Sequence, residues 1–424
     1  MAVLPYFKDI PYGSNDSNSS QIRDKVKKLQ TNLVRVPSGP SYGLISSFLD
    51  SYQLARKQGY HTSPESAFGC LFDLVASTKY AEALVSNGGW LYCNRGQGTS
   101  KYALYFTYMK TCPYCSVQLG NKESTSVSNK PSSDKIGDIS GDTTYQIIDH
   151  VVSINANNIK IGKSSNRMGD VDFVMYSKDI LVLGETKSSP LILFPLQIDL
   201  DDCLTEVKGG DRKEKENHTE VTRDISRESI NMYIPHRDHK INLGSYDNNN
   251  WPYPEITSYV QDPKNVKYLI DSWQEIYDVY KANPYANNDP RRWAHCGCGG
   301  GVDDSKNKPG MDRTDDIKKG TYQVLKYGSY FKEKSTERRL RAVLATNFFP
   351  LRTFKRYLSE MAKVIWTKEK YSHKVNGKPE FKAFKNEDLF NLYDSIIGFT
   401  KSIYMDEDIE EITSIREYIK NTSK

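Results

Sequence analysis

The sequence predicts a mixed α+β fold, of the α/β type in which a mixed central sheet is flanked by helices. Two short runs rich in Val, Ile and Leu, 171–176 and 180–186, are separated by Ser177-Lys178-Asp179 and predict a β-hairpin. Near the C-terminal third, a run with helical spacing at 317–331 precedes a β-rich run at 339–347. In the first hundred residues, apolar residues recur at helical spacing in three segments, at 21–33, 43–57 and 64–86.

The remaining segments carry weaker patterns. Ser63 is placed to cap the third helix. Residues 116–142 contain almost no apolar side chains and predict an exposed loop, while 143–155 fits a helix or a strand. Between 190 and 311 regular periodicity is sparse, apart from one helix at about 266–282. The other predicted elements are strands at 90–92 and 101–109 and helices at 351–371 and 386–404.

A chain of 424 residues is long enough for one large domain with additions or for two to three domains. We divide it into a mostly helical N-terminal region, a CxxC segment with a loop, a core in two blocks, an insertion and a set of C-terminal helices. In that order these regions span 1–110, 111–142, 143–190 with 312–350, 191–311 and 351–424.

The composition is that of an ordinary globular protein, with 38% hydrophobic and 26% charged residues and a net charge of +5. This small positive excess is compatible with nucleic-acid binding and does not require it. No run of about 18 apolar residues predicts a membrane span, and the N-terminus lacks the pattern of a secretory signal. We therefore expect a cytoplasmic protein whose seven cysteines are thiols or metal ligands.

The segment from Gly169 to Lys187 concentrates the candidate catalytic residues. In the predicted hairpin, the start of the first strand lies opposite the end of the second, so Asp172 and Glu185 meet. Glu185 and Lys187 are two residues apart and share a face. Two carboxylates can hold Mg²⁺, a hard cation that prefers oxygen, and a lysine beside them can stabilise negative charge on a phosphate. A chance D…ExK match with an ordinary solvent-facing pair is the alternative.

A second motif lies on the helix predicted at 317–331. Gln323 and Tyr327 are four residues apart and share a face, and the predicted strand follows. Alone, this spacing has little specificity. Its position between D…ExK and a strand gives it weight.

Together, Asp172, Glu185-Thr186-Lys187 and Gln323-x-x-x-Tyr327 resemble the core of the PD-(D/E)XK nuclease superfamily. The resemblance covers about 143–190 and 315–350 and implies a four-stranded mixed sheet in αβββαβ order. It implies that Asp172 and Glu185 are Mg²⁺ ligands and that Lys187 is the catalytic lysine, with Gln323 and Tyr327 near the phosphate.

The sequence departs from the family pattern in three ways. The proline before the family's aspartate is absent, and Asp170, two residues before Asp172, is an alternative ligand or a partner in metal binding. The insertion between the two blocks is unusually long. A helical Glu found in some members has Asp149 as its nearest counterpart here.

The cysteines predict a second metal site. Cys112 and Cys115 form a CxxC, and Cys296 and Cys298 form a CxC, spacings that suit one tetrahedral Zn²⁺. His295 is an alternate fourth ligand. Redox chemistry at the CxxC and unliganded thiols remain open alternatives. Cys70 lies on an apolar helical face and is expected in the core.

Arg338, Arg339 and Arg341 flank the last core strand and are candidate phosphate contacts, and the insertion is a candidate for reading base edges. The absence of a GxxxxGK[ST] motif disfavours a helicase-coupled nuclease. A stand-alone type II restriction endonuclease, cutting double-stranded DNA as a homodimer, is the preferred function. A repair or recombination nuclease, an RNA-processing nuclease and a non-catalytic, zinc-stapled DNA-binding protein are the alternatives.

Overall fold

The protein is described from a computed structural model. The structure describes residues 33–34, 39–85, 90–93, 101–105, 133–164, 171–194, 196–200, 218–221, 229–237, 239–282, 308–332, 339–367, 374–375, 378–379, 389–391 and 393–423. No helix in these ranges has the length and apolar character needed to cross a membrane.

The described helices are distributed along the whole chain. In chain order they are α1 (Pro40–Lys57), α2 (Pro64–Val85), α3 (Ser133–Asn155), α4 (Tyr253–Val260), α5 (Pro263–Ala282), α6 (Thr314–Phe331), α7 (Phe354–Tyr357), α8 (Glu407–Thr413) and α9 (Ile415–Thr422). Short 3₁₀ turns lie at Pro235–Arg237, Gly310–Asp312 and Met361–Lys363.

The described strands fall into two large sheets and two small pairs. They are β1 (Leu33–Val34), β2 (Trp90–Cys93), β3 (Lys101–Tyr105), β4 (Lys160–Ser164), β5 (Phe173–Tyr176), β6 (Ile180–Thr186), β7 (Leu196–Leu200), β8 (His218–Val221), β9 (Ser229–Ile234), β10 (His239–Ser245), β11 (Arg339–Thr346), β12 (Ile365–Thr367), β13 (Lys374–Val375), β14 (Lys378–Pro379), β15 (Leu389–Asn391), β16 (Ser395–Gly398) and β17 (Ile403–Tyr404).

The central sheet is mixed, with strand order β1-β4-β5-β6-β11-β16-β17. β4, β5 and β6 form an antiparallel meander. β11 and β16 then add parallel to β6, which requires the chain to cross over between them. The crossover into β11 includes α6. The central sheet and the helices beside it are therefore visited in the order α3, β4, β5, β6, α6 and β11, with β7 to β10, α4 and α5 inserted between β6 and α6. The mixed α+β fold is confirmed.

Alternate residues of the central strands face two separate cores. Val343 and Ala345 of β11 belong to the larger core, which also contains the apolar side chains of α1, α2 and α3. Ala342 and Leu344 point the opposite way and pack with Ile317 and Val324 of α6. Because both faces are covered, β6 is buried along its whole length. The strands predicted from the apolar runs at 180–186 and 339–347 are therefore confirmed as β6 and β11.

Several local predictions are confirmed. The helices predicted at 43–57 and 64–86 are α1 and α2, and Ser63 caps α2 by accepting a hydrogen bond from the backbone N–H of Ser66 at 3.1 Å. The hairpin is β5 and β6, with Phe173 opposite Gly184. Cys70 is fully buried. Of the helix predicted at 21–33, the structure describes only Leu33, which lies in β1. The other residues lie outside the described residues.

The exposed loop predicted at 116–142 is wrong at its C-terminal end, because α3 already begins at Ser133. The buried face of α3 carries threonine hydroxyl groups that donate hydrogen bonds to backbone carbonyls of the same helix. Thr143 donates to the carbonyl of Ile139 at 2.8 Å, and Thr144 to that of Ser140 at 2.9 Å. These internal bonds let polar side chains be buried, so composition concealed the helix. The same finding settles 143–155 as helical.

The irregular stretch predicted at 190–311 is also wrong over much of its length. β7, β8, β9 and β10 pair with β2 and β3 in a six-stranded antiparallel sheet of order β10-β9-β7-β3-β2-β8. α4 and α5 follow, and α5 extends the predicted helix at 266–282 to Pro263. The strands are short and pair across about 100 residues of sequence (β3 to β7), so the sequence pattern of each was weak.

The helices predicted at 351–371 and 386–404 are wrong. The first is the single turn α7, a 3₁₀ turn and β12, and the second is β15, β16 and β17. Pairing with the buried β11 determines the outcome, since β16 lies parallel to it and is buried on every residue. A strand covered on both faces has a continuous apolar run, which local spacing does not distinguish from a buried helix.

The ring of Phe173 leaves no room for a side chain at Gly184. A Cβ at position 184 would lie 2.1 Å from Cζ of that ring, which is 1% exposed and has no room to move outward. We expect Gly184→Ala to lower the free energy of unfolding by about 1–3 kcal/mol through overpacking, as measured by denaturant titration. Adding Phe173→Leu should recover part of the loss. Unchanged stability of the single variant would contradict this packing.

Candidate active site at the end of the central hairpin

The hairpin brings two carboxylates together. Since Phe173 pairs with Gly184 in the antiparallel register, Asp172 and Glu185 come next, opposite each other, at the open end. The backbone N–H of Asp172 donates to the carbonyl of Gly184 at 2.9 Å, and the N–H of Thr186 donates to Oδ2 of Asp172 at 2.6 Å. Asp172 is therefore fixed against the strand that carries Glu185.

Lys187 completes the cluster. Its ammonium forms an ion pair with Glu185 and also donates to the carbonyl of Thr186 at 3.2 Å. The backbone N–H of Lys187 donates to the carbonyl of Ala345 in β11 at 2.9 Å. The lysine is thus held by its own strand and by the neighbouring one.

The cluster is partly buried, and this burial shifts the pKa values of its groups. Glu185 is only 4% exposed. Burial raises the pKa of Asp172 above its usual value, although the Lys187 ammonium acts in the opposite direction. For Lys187, burial alone would lower the pKa, but the carboxylates of Glu185 and Asp172 outweigh it and raise the pKa. The two acidic groups therefore share the ammonium of one half-buried lysine.

Helix α6 forms the wall above this cluster. A Cβ at Gly320 would lie 3.0 Å from Cγ of Lys187 and 3.1 Å from Cδ2 of Leu344, so the backbone of α6 rests directly on the lysine stem. Asp316 lies one turn before Gly320 on the same side, and burial raises the pKa of its carboxyl while Arg313 and Lys187 oppose that shift. Arg313 pairs with Asp316 at 3.1 Å.

Gln323 lies one turn after Gly320 on this wall. Its Oε1 is buried and has no hydrogen-bond partner among the described residues, an arrangement that favours a ligand at this position. Tyr327 lies one further turn along α6, and its side chain is outside the described residues. Sequence reasoning missed Asp316. An acidic residue in the first turn of a helix has an ordinary role there, so no local signal distinguished it.

The strand ends that carry the cluster are locked together. Asn347, just after β11, accepts from the backbone N–H of Ser189 at 3.0 Å and donates to its carbonyl at 2.8 Å. The backbone N–H of Gly310 donates to the carbonyl of Ser189 at 3.0 Å, which ties the segment before α6 to the same point. Gly310 has φ +48°, a conformation that favours glycine.

Of the remaining predicted site residues, those that the structure describes are not brought to this cluster. Arg339 and Arg341 pair with Asp408 and Asp406. Arg339 lies opposite Ile180, at the other end of β6, which places its backbone about 17 Å from Glu185 at about 3.3 Å per residue. Asp149 accepts a hydrogen bond from Tyr42 in α1. Six predicted residues and the alternate zinc ligand lie outside the described residues: Asp170, Arg338, Cys112, Cys115, Cys296 and Cys298, with His295.

The donors at the cluster suit a hard cation. Asp172 and Glu185 lie opposite each other at the strand ends, and Asp316 adds a third carboxyl on the wall beside them. Asp172 and Glu185 offer the carboxylate oxygens that Mg²⁺ prefers, and Mg²⁺ commonly keeps several of its waters. In the part of the chain that the structure describes, no group of three or more His, Cys, Asp or Glu residues is arranged to hold a metal ion.

Comparisons with known proteins identified no match to this chain, whether among protein-family models, curated proteins or solved structures.

Proposed function

We propose that this protein is a Mg²⁺-dependent endonuclease of the PD-(D/E)XK type that hydrolyses phosphodiester bonds of double-stranded DNA. The observation that carries the proposal is the convergence of Asp172, Glu185 and Lys187 at the end of buried paired strands, where three charged groups without a function would be costly. The order of α3, β4, β5, β6, α6 and β11 supports it, since it matches the αβββαβ order of that superfamily.

Asp172 and Glu185 would hold the Mg²⁺ ion, which supplies an activated water and neutralises charge on the scissile phosphate. The residues of this chain do the rest. Lys187 presents an ammonium whose stem is fixed between β6, β11 and α6, so it needs little reorganisation to stabilise the charge that develops on the phosphate oxygens. Gln323, on the same wall, has a buried amide oxygen that is suited to accept a hydrogen bond from a water or from a substrate donor.

Within this class we favour a site-specific type II restriction enzyme acting as a homodimer, because cutting a palindromic duplex uses two copies of one active site. The long segment between β6 and α6 is an element of this chain that suits recognition of a site. Its β7 to β10 belong to a sheet separate from the central one.

The test is cleavage of mixed-sequence plasmid and phage DNA by purified protein, in Mg²⁺ or in EDTA, beside Lys187→Ala. Discrete bands that need Mg²⁺ and are lost in the variant are the expected result. A Mg²⁺-dependent smear would instead indicate a repair or exonuclease activity, and cleavage of RNA alone would indicate RNA processing. Intact DNA in every lane, with DNA binding retained, would overturn the catalytic proposal and favour the zinc-stapled binding protein.

Gly320 offers a test that separates the position of Lys187 from the stability of the fold. In Gly320→Ala the new methyl group would press on the lysine stem and on Leu344. Helix propensity improves by about 0.5–1 kcal/mol, so the free energy of unfolding should stay within about 1 kcal/mol of the parent. We expect the cleavage rate to fall on the order of tenfold or more, since small displacements in an active site have large effects.

The matched control for this variant is Gly141→Ala in α3, where an added Cβ meets no atom within 4 Å. It gives the same gain in helix propensity without pressing on the active site. Cleavage by Gly141→Ala should equal that of the parent. If Gly320→Ala cleaved DNA as fast as Gly141→Ala, the close approach of α6 to Lys187 would have no catalytic importance.

A further inference from the structure

The edge of α6 beside the active-site wall is basic and aromatic. Lys319 is exposed, Lys326 is half-exposed, and Tyr322 between them is 66% exposed, the highest value among the large hydrophobic residues that the structure describes as exposed. An exposed tyrosine ring with lysines on either side is a surface that suits a polyanion with flat or apolar parts. We name Lys319, Tyr322 and Lys326 the α6 stripe.

The α6 stripe adjoins the catalytic cluster. Residues three and four apart on a helix are neighbours, so Lys319 neighbours both Asp316 and Gln323, and Lys326 neighbours Gln323. The Lys319 ammonium also lies close enough to Asp316 to oppose the rise in the pKa of that carboxyl. Gly320, on the adjoining side of the helix, rests on Lys187. The stripe therefore borders the wall on its solvent side.

The spacing of the stripe suits a nucleic-acid strand. Lys319 and Lys326 are seven residues apart, about 10.5 Å along the helix axis at 1.5 Å per residue. Successive phosphates of one strand of B-form DNA advance about 3.4 Å along the duplex axis, so ammonium groups on flexible lysine stems at this separation can reach phosphates of a single strand. Positive charge at this border is also needed, because the cluster itself carries Asp172, Glu185 and Asp316, which repel a phosphate until cations neutralise them.

We propose that the α6 stripe binds the sugar-phosphate backbone of the DNA strand that enters the active site, with Lys319 and Lys326 on phosphates and Tyr322 against the sugar between them. This inference rests on the proposed function, since it names the surface through which that site meets its substrate. It replaces Arg339 and Arg341 as the candidate phosphate contacts near the catalytic cluster, because those arginines are paired with Asp408 and Asp406.

Binding of a fluorescently labelled, mixed-sequence DNA duplex in EDTA tests the proposal without cleavage and without knowledge of a recognition sequence. Affinity is measured by fluorescence anisotropy between about 50 and 200 mM salt. The variants are Lys319→Gln with Lys326→Gln, and Tyr322→Ala. The matched control is Lys318→Gln, an exposed lysine next to the stripe whose ammonium lies over the ring of Tyr357 at 5.8 Å.

We expect the double lysine variant to bind on the order of tenfold more weakly at low salt, with the slope of log affinity against log salt reduced by about 1.8, or about 0.9 for each lost phosphate contact. Tyr322→Ala should weaken binding without changing that slope, because the ring is neutral. Lys318→Gln should bind like the parent. Equal losses in the Lys318 control and the double variant, or no loss in either, would overturn the proposal.

The same measurements distinguish this inference from the proposed function. A parent protein that binds DNA through the stripe but cleaves none in Mg²⁺ would support the stripe and refute the nuclease. A parent that cleaves DNA, with a double lysine variant of unchanged affinity and salt slope, would refute the stripe and leave the nuclease standing. A parent that does not bind DNA would overturn both.

Discussion

Asp172→Asn is expected to abolish Mg²⁺-dependent DNA cleavage without destabilising the fold. The asparagine amide oxygen can still accept the hydrogen bond that the N–H of Thr186 donates to Asp172 at 2.6 Å. It lacks the negative charge needed to hold Mg²⁺ beside Glu185. We expect the cleavage rate to fall by at least about 10³-fold, equivalent to about 4 kcal/mol of transition-state stabilisation at about 1.36 kcal/mol per factor of ten.

Although Asp172→Asn should lose activity, it should be as stable as the parent or more stable, for an electrostatic reason. The folded pKa of Asp172 is raised by burial, so its ionised form is less stable in the folded protein than in the unfolded chain. This group therefore stabilises the fold fully only below its unfolded pKa and loses that contribution as pH rises through its folded pKa. The neutral asparagine removes this loss, so unfolding at neutral pH should need equal or higher denaturant concentration than in the parent.

The matched control is Asp179→Asn, an exposed aspartate in the turn at the other end of the same hairpin. It should change neither cleavage nor stability by a measurable amount. Cleavage in Mg²⁺ by Asp172→Asn at the parental rate would remove Asp172 from the active site. Asp170, which lies outside the described residues, would then become the first ligand to test.

The second large effect is expected at Lys332, directly after α6. Its side chain is 5% exposed and pairs with the buried Asp394, which also accepts from the backbone N–H of Ala342 in β11 at 2.7 Å. Burial lowers the pKa of Lys332 and raises that of Asp394, while each charge stabilises the other. Lys332→Met leaves the carboxylate buried without its ammonium, and we expect a loss of about 3–5 kcal/mol in the free energy of unfolding.

Denaturant titration of three variants tests the origin of that loss. Lys332→Met with Asp394→Asn removes both charges and retains an acceptor for the N–H of Ala342, so it should recover a large part of the stability. Lys318→Met, at an exposed position on α6, should be close to the parent. If the double variant were as unstable as Lys332→Met, the loss would arise from packing and not from the unpaired carboxylate of Asp394.

The sequence by itself determined the local part of this protein. The thirteen-residue spacing from Asp172 to Glu185, with a polar turn between two apolar runs, predicts a hairpin that brings both carboxylates to one end. The two-residue spacing places Lys187 on the face of Glu185. α1, α2, α6 and the buried strand at 339–346 were also predicted. In each case the information lies within about twenty residues, as turn residues, periodicity or caps.

Only the tertiary structure decided the surroundings of that hairpin. β6 pairs with β11 more than 150 residues later, and this pairing turns the segment at 395–398 into a strand rather than part of a helix. It also brings α6 over Lys187, so Asp316 joins the cluster while Arg339 and Arg341 pair with Asp408 and Asp406. Contacts between distant segments leave no periodic trace in either one. Burial of both faces then overrides local propensity, because the free energy of covering apolar strands exceeds the small differences between helix and strand preference.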